Sequence, residues 1–162
     1  KIGTVYMQLM ADFEYKGDSA KTKANRIENF FTVGDLGELD EDGYLFLRDR
    51  KADMIISGGA NIYPAEIEGE LINHPAVQDV AVFGIPNADW GEEIKAVVEL
   101  HEGFEPGDEL VADILGWAAP RMAKFKLPKS VDFVETLPRE PNGKLIKRKL
   151  RDPYWEGIDR QI

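Results

Sequence analysis

The sequence predicts an α+β fold: a β-hairpin and a three-stranded sheet with flanking helices, preceded by a separate β-rich stretch. Three observations carry this. Apolar runs of strand length recur at residues 77–85, 94–100 and 131–135. Helical patterns fall at 64–73, 108–119 and 145–151, without the regular strand–helix alternation of a parallel α/β protein. Two turn signals, Asp40-Glu-Asp-Gly43 and Gly58-Gly59, sit between strand-like segments.

In chain order, residues 3–10 alternate as a strand, and a short helix is expected near 20–25. Residues 30–48 read as a hairpin about the turn at 40–43. The charged connector 49–53 separates two β-rich stretches and is the expected domain boundary. A second hairpin joins 54–57 to 60–63. Pro64 opens a helix through 73, with Glu66 and Glu68 in its first turns, where the helix dipole favours acids. Ile67, Leu71 and Ile72 share a face of it, and His74-Pro75 ends it. A strand at 77–85, a loop at 86–91, a strand at 94–100 and a linker at 104–108 follow. The helix at 108–119 offers Ile114, Leu115 and Ala118 as its buried side. A short strand at 131–135 and a basic helix at 145–151 close the pattern.

Composition narrows the function. The 162 residues are 43% hydrophobic and 31% charged, enough for a core and a solvated surface. With no cysteine, disulfides, thiolate nucleophiles and sulfur-rich metal sites are excluded. His74 and His101 are isolated and read as structural, so no metal cage and no Ser/His/Asp triad is expected. No signal peptide or membrane-length apolar run is read, and the cytoplasm is the expected compartment. A net charge of −10 argues against nucleic-acid binding. Yet residues 121–151 hold ten of the twenty Lys and Arg and only three acids, Asp132, Glu135 and Glu140. That run is either a solvated basic face or a local field for a polyanionic small molecule. The opening Lys1-Ile-Gly-Thr-Val reads like the middle of a strand, so the chain is expected to be a piece of a longer protein.

Several residues have two readings. Lys144 follows a Pro/Asn/Gly turn and is either solvated or a cation held out toward an anion. Gly143-Lys144 is not a Walker loop, because Leu145 occupies the hydroxyl position. Gly58-Gly59 is either a hairpin turn needing positive φ or a bare backbone along which a thin ligand arm passes. Asp35 and Arg50 are either surface residues or partners of a sugar diol.

Taken together, Gly34-Asp35, the run from Arg50 through Ile55-Ile-Ser-Gly-Gly-Ala-Asn-Ile-Tyr-Pro64 to Glu68, Trp90-Gly91, Lys124-Phe-Lys-Leu-Pro128 and residues 138–150 resemble the C-terminal part of an AMP-forming acyl-CoA synthetase. Its adenylate-forming superfamily also contains firefly luciferase and nonribosomal peptide adenylation domains. The resemblance runs from about residue 3 to 155. It implies that residues 1–50 end a large N-terminal domain, as strands of its distal β-barrel, and that 51–162 form a small mobile lid. In such enzymes a carboxylate attacks ATP to give an acyl-adenylate. The lid then rotates and CoA takes the acyl group as a thioester.

By the same resemblance, Asp35 would hold the ribose hydroxyls with help from Arg50, and Lys144 would be the catalytic lysine of adenylation. Gly58 and Gly59 would line the pantetheine tunnel, with Trp90 in a loop nearby. Phe125 would pack on the CoA adenine, and Lys129 would approach the CoA phosphates. The hinge would be Ala52, where the family usually has Asp or Lys, and Leu127 stands where some relatives place an Arg. ATP, Mg²⁺ and CoA are the implied cofactors and co-substrates, with a fatty or aromatic carboxylic acid suggested by the tail Arg151-Asp-Pro-Tyr-Trp155. Implied partners are the protein's own N-terminal domain and a lysine acetyltransferase and deacetylase. Pro138-x-x-x-x-Gly143-Lys144 resembles the acetylated site of some bacterial relatives. Alternatives are an adenylation domain loading a carrier protein, a luciferase-like oxidase, or a non-catalytic α+β binding module.

Overall fold

The structure, a computed structural model, describes residues 1–8 and 14–158. The chain forms two compact units, Lys1–Ala52 and Asp53–Ile162.

The first unit is built from short strands. β1 (Gly3–Thr4), β5 (Asp35–Leu39) and β6 (Leu45–Arg50) form one antiparallel sheet in the order β1-β5-β6. β2 (Met7–Gln8), β3 (Arg26–Ile27) and β4 (Phe30–Phe31) form another in the order β2-β4-β3. Helix α1 (Ser19–Ala24) is capped by Asp18, whose carboxylate accepts the Lys21 N–H at 2.9 Å. The expected strand at 3–10 is two strands, broken at Val5 and Tyr6, and its last residues lie outside those described. The expected hairpin starts later, because Phe30–Phe31 pairs separately with β2 and β3.

The turn at 40–43 forms as expected. Asp40 Oδ1 accepts the N–H groups of Asp42 (3.0 Å) and Tyr44 (2.8 Å), and Gly43 takes φ +84°. A bulge between Leu36 and Gly37 shifts the β5–β6 register. There a Cβ on Gly37 would lie 2.8 Å from the Phe46 carbonyl oxygen, so only glycine fits. The hydrogen-bonded Arg48 guanidinium holds the Glu38 carboxyl below the usual carboxylate range. That contribution is present at neutral pH and fades as pH falls through the lowered value.

The second unit has one five-stranded sheet, where the sequence suggests a hairpin separate from three strands. β10 (Gly91–Leu100) pairs antiparallel with β9 (Val77–Asn87) along its length and parallel with β11 (Ser130–Val134). The hairpin of β7 (Ile55–Ser57) and β8 (Ala60–Ile62) joins it through the Gly91↔Ser57 pair and a 2.9 Å bond from Gly58 N–H to the Trp90 carbonyl. The expected loop at 86–91 shrinks to residues 88–90, because both strands run further than their apolar cores. Pro86 is tolerated because β9 pairs only with β10 and forms an edge.

Both faces of this sheet are buried along 80–84 of β9 and 96–98 of β10, which is why those stretches read as unbroken apolar runs. Val80, Val82, Ile94, Ala96 and Val98 face α2 (Pro64–Leu71) and α3 (Asp108–Ala118), meeting Ile67, Leu71, Ile114 and Ala118. Ala81, Phe83 and Val97 point the other way and pack with Leu137. Helix α4 (Lys147–Arg151), two residues shorter at its start than expected, lies against β9. It leads into a 3-10 turn, Asp152–Trp155, where Trp155 Nε1 donates to the Gly84 carbonyl at 3.0 Å. Ile72 is 41% exposed and outside the core, since α2 ends at Leu71. His74 is structural. It is buried, its Nδ1 accepts the Ala76 N–H at 3.2 Å, and its Nε2 lies 3.3 Å from Asp113. Among the described residues no helix is long and apolar enough to cross a membrane, and no acid–histidine cluster suits a metal ion.

Candidate functional site

The first unit presents a carboxylate beside a guanidinium. Thr32 is buried, and its hydroxyl oxygen accepts the Gly34 N–H at 3.0 Å. Gly34 at φ +88° turns the chain into β5, and its carbonyl accepts the Lys51 N–H at 2.7 Å. This brace sets Asp35 directly across from Arg50. Arg50 Nε is 3.7 Å from Asp35 Oδ1, a distance for an ion pair but too long for a hydrogen bond. Both Asp35 oxygens therefore retain capacity to accept from a ligand. The unit boundary falls immediately after Ala52.

In the second unit the basic segment divides into engaged and unengaged cations. Lys95, buried, pairs with Asp132 at 2.8 Å. Lys126 reaches Glu66 at 2.6 Å, and Lys147 reaches Glu68 at 2.7 Å. These ties hold β11, the 3-10 turn Lys124–Lys126 and α4 to the sheet and α2. Lys144 differs: it is exposed, and among the described residues its ammonium has no partner. Its backbone is closely held. Lys144 N–H donates to Asn142 Oδ1 (3.0 Å), the Lys144 carbonyl accepts the Glu140 N–H (2.8 Å), and Gly143 supplies φ +87°. A firmly held backbone carrying an unpaired cation suits neutralising a bound anion.

Beside the C-terminal end of β9 a groove of 530 Å³ gathers Gly58, Trp90, Phe125 and Lys129, four residues spread over 72 positions (129 − 58 + 1). Ser57, Asn87, Glu93, Ile94 and Lys124 complete its main lining. Trp90 and Phe125 are 60% and 56% exposed, an unusual state for large aromatic rings. Gly58 is required by packing: at φ +57°, a Cβ there would lie 2.5 Å from Trp90 Cε3. Gly59 does not line the groove, and a Cβ on it would meet nothing within 4 Å. Its φ of +79° serves the turn. Leu127 packs partly buried against the core, away from the groove lining.

The sequence reading missed Asn87. Its Oδ1 accepts the N–H groups of Asp89 and Trp90, both at 3.0 Å, and its Nδ2 donates to Glu93 at 2.6 Å. It therefore shapes the turn that carries Trp90. Asn87-Ala-Asp89 after an apolar run was the available signal, since an Asn side chain accepts N–H groups two residues on and shapes turns. Trp90 also lines a second cavity of 620 Å³ with Ile56, Pro86, Glu92 and Trp155.

The second unit thus carries an exposed, unpaired lysine on one loop and an aromatic-walled groove lined by other segments. Residues 66–144 match the AMP-binding enzyme C-terminal domain, and the chain belongs to the adenylate-forming enzymes, the family of the acyl-CoA synthetases. It is 43% identical over 147 residues to a long-chain-fatty-acid–CoA ligase of Mycobacterium tuberculosis, covering 91% of this chain and 28% of the relative. It is 40% identical over 149 residues to a fatty acid–[acyl-carrier-protein] ligase of Streptomyces coeruleorubidus, covering 92% and 28%. Among solved structures, o-succinylbenzoate CoA synthetase from Bacillus subtilis, in complex with its acyl-adenylate intermediate, superposes with a TM-score of 0.80 at 32% identity, over 94% of this chain and 31% of that one. The chain thus spans under a third of the length of the relatives it matches.

Proposed function

We propose that this chain is the C-terminal part of an ATP-dependent carboxylic acid–CoA ligase acting on a fatty or aromatic acid. Residues 1–50 would end the large domain and 51–162 would form its lid. One observation carries the reading: Gly58, Trp90, Phe125 and Lys129 converge on one groove beside Asn87 at the C-terminal end of β9, while Lys144 stands unpaired on a loop that Arg139 ties, through the Gly143 carbonyl, to Asp79 near the other end of that strand. The two anchors, Asp79 and Asn87, are eight positions apart on β9 (87 − 79), about 26 Å at ~3.3 Å per residue. Separated anchors of this kind favour a unit that turns between two steps, presenting Lys144 in one and the groove in the other.

In the first step the carboxylate oxygen attacks the α-phosphorus of ATP, and pyrophosphate leaves. Two anionic groups are forced together, and the Lys144 ammonium offsets that charge where it builds up. Asp35 accepts hydrogen bonds from the ribose hydroxyls, with Arg50 alongside, and charge-assisted bonds of this kind contribute about 1.5–3 kcal/mol each. In the second step the CoA sulfur attacks the acyl carbon, the thiol proton leaves and AMP is expelled. Gly58 and Trp90 flank the thiol-bearing arm, Phe125 stacks on the adenine, and Lys129 faces the phosphates. Ala52 at the unit boundary serves as the hinge, since a hinge residue absorbs backbone rotation and need not be charged. Mg²⁺ would be held by the nucleotide phosphates and would offset their charge. The proposed compartment is the cytoplasm.

The test is a panel of fatty and aromatic acids given to the full-length protein with ATP, scored by AMP release with free CoA and with a holo carrier protein. AMP release that depends on one of these acids and on CoA is expected, and none with any acid would end the reading. Acceptance of the carrier alone would favour the second reading, a carrier-loading adenylation domain. That alternative draws support from the Streptomyces coeruleorubidus relative, which is named a fatty acid–[acyl-carrier-protein] ligase.

Lys144 is also proposed as a site of reversible acetylation by an acetyltransferase and deacetylase, because its exposed ammonium is both reachable and needed. Mass spectrometry of the protein from its host is expected to find acetyl-Lys144 under some carbon source. Unmodified Lys144 under all of them would count against it.

A further inference from the structure

We infer that Arg139, held by Asp79, is a positioning residue that sets the Lys144 loop for adenylation and takes no part in the thioester step. The inference rests on the role proposed for Lys144. Arg139 forms a backbone bridge with Leu145, on the far side of the loop. Its guanidinium then forks. One nitrogen donates to the Gly143 carbonyl at 2.5 Å, and the other pairs with Asp79 Oδ2. Asp79 in turn is seated on the sheet, its Oδ1 accepting the Val80 N–H at 2.9 Å. The chain of contacts therefore runs from β9 through Asp79 and Arg139 to the peptide unit immediately before Lys144.

That peptide is the one that needs a hold. Gly143 has φ +87° and no Cβ to restrict it; its own N–H (to the Glu140 carbonyl, 2.8 Å) and the Lys144 N–H are held only within the loop, so its carbonyl is the group through which this peptide is tied to the sheet. Asn142 steadies the Lys144 N–H, and the Glu140 N–H steadies the Lys144 carbonyl, but only Arg139 among the described contacts fastens Gly143 to the sheet. Misplacing a reacting or stabilising group by about 1 Å costs on the order of 10²-fold in rate. Arg139 and Asp79 are 41% and 24% exposed, and a half-exposed ion pair contributes little to folding. Their removal is therefore a test of geometry more than of stability. The guanidinium is already committed to the carbonyl and the carboxylate, which favours bracing over direct contact with nucleotide.

The experiment uses the full-length protein and separates its half-reactions: pyrophosphate exchange for adenylation, and thioester formation from supplied acyl-adenylate and CoA. Arg139→Ala is expected to lower the adenylation rate about 10- to 100-fold, with KM for ATP and the thioester half-reaction within about twofold of the parent. Arg139→Lys, which keeps the charge but lacks the fork, is expected to recover only part of the loss. Asp79→Asn is expected to fall in the same direction, and the double variant to be no worse than Arg139→Ala alone. Equal loss in both half-reactions, no loss in adenylation, full recovery with Arg139→Lys, or additive single effects would each overturn the inference. Lys144→Ala run in parallel separates the two failures. If it abolishes adenylation while Arg139→Ala does not, the brace is wrong and the role of Lys144 stands. If Lys144→Ala leaves adenylation intact, the reading beneath both is wrong.

Discussion

Lys144→Ala in the full-length protein is expected to slow pyrophosphate exchange by roughly 10²–10³-fold, about 3–4 kcal/mol in the transition state. Thioester formation from supplied acyl-adenylate should be near the parent rate. The magnitude follows from removing one aimed donor at a point where two anionic groups are brought together. The asymmetry follows from placement. Lys144 stands on a loop anchored through Asp79, near the end of β9 opposite the groove that would serve the thiol. Folding is not expected to change, because the side chain is exposed and makes no contact that the core needs. Loss of both half-reactions in equal measure would mean that Lys144 supports the domain and not the chemistry.

Gly58→Ala should produce the complementary defect. The added methyl would sit 2.5 Å from Trp90 Cε3 and 2.9 Å from Cζ3, at a φ of +57° that disfavours any side chain. Trp90 is largely exposed, so it can swing aside, but it then leaves the groove wall it forms with Phe125 and Lys129. The thioester half-reaction is expected to fall about 10- to 100-fold, as for a group displaced by an ångström or more. Adenylation should change little. Gly59→Ala is the control: it carries the same class of backbone strain with no neighbour within 4 Å, and does not line the groove. If both variants lose the thioester step equally, the effect belongs to the turn and not to the Trp90 seat.

Much of the second unit was legible before any coordinates. The middles of strands β9 and β10 are buried on both faces, so 80–84 and 96–98 carry no polar side chain and local pattern suffices. Helix α2 was readable because Pro64 at its first position and the spacing of Ile67 and Leu71 agree. Local signals failed where pairing is long-range. The two-residue strands β2, β3 and β4 have no periodicity of their own and exist only through one another. Pro86 reads as a break, yet β9 continues past it because an edge strand tolerates a missing donor. The Gly91↔Ser57 pair that unites hairpin and sheet joins residues 34 positions apart (91 − 57), beyond any local rule.

The candidate site divides in the same way. Sequence by itself determined which residues were candidates, because ordered motifs from Asp35 to Lys144 carry a family resemblance that no single residue carries. It also determined the turn chemistry that makes Gly143 and Asn142 hold out a lysine. Only the tertiary structure decided which lysines are engaged, since Glu66 and Glu68 lie far along the chain from Lys126 and Lys147. Only it separated Gly58, whose empty space is taken by Trp90, from Gly59, whose space is open. It alone revealed Arg139 bridging Asp79 to Gly143. The physical reason is common to all three. Propensity and periodicity act over a few residues, whereas packing and ion pairing depend on which distant segments the folded sheet brings within a few ångströms.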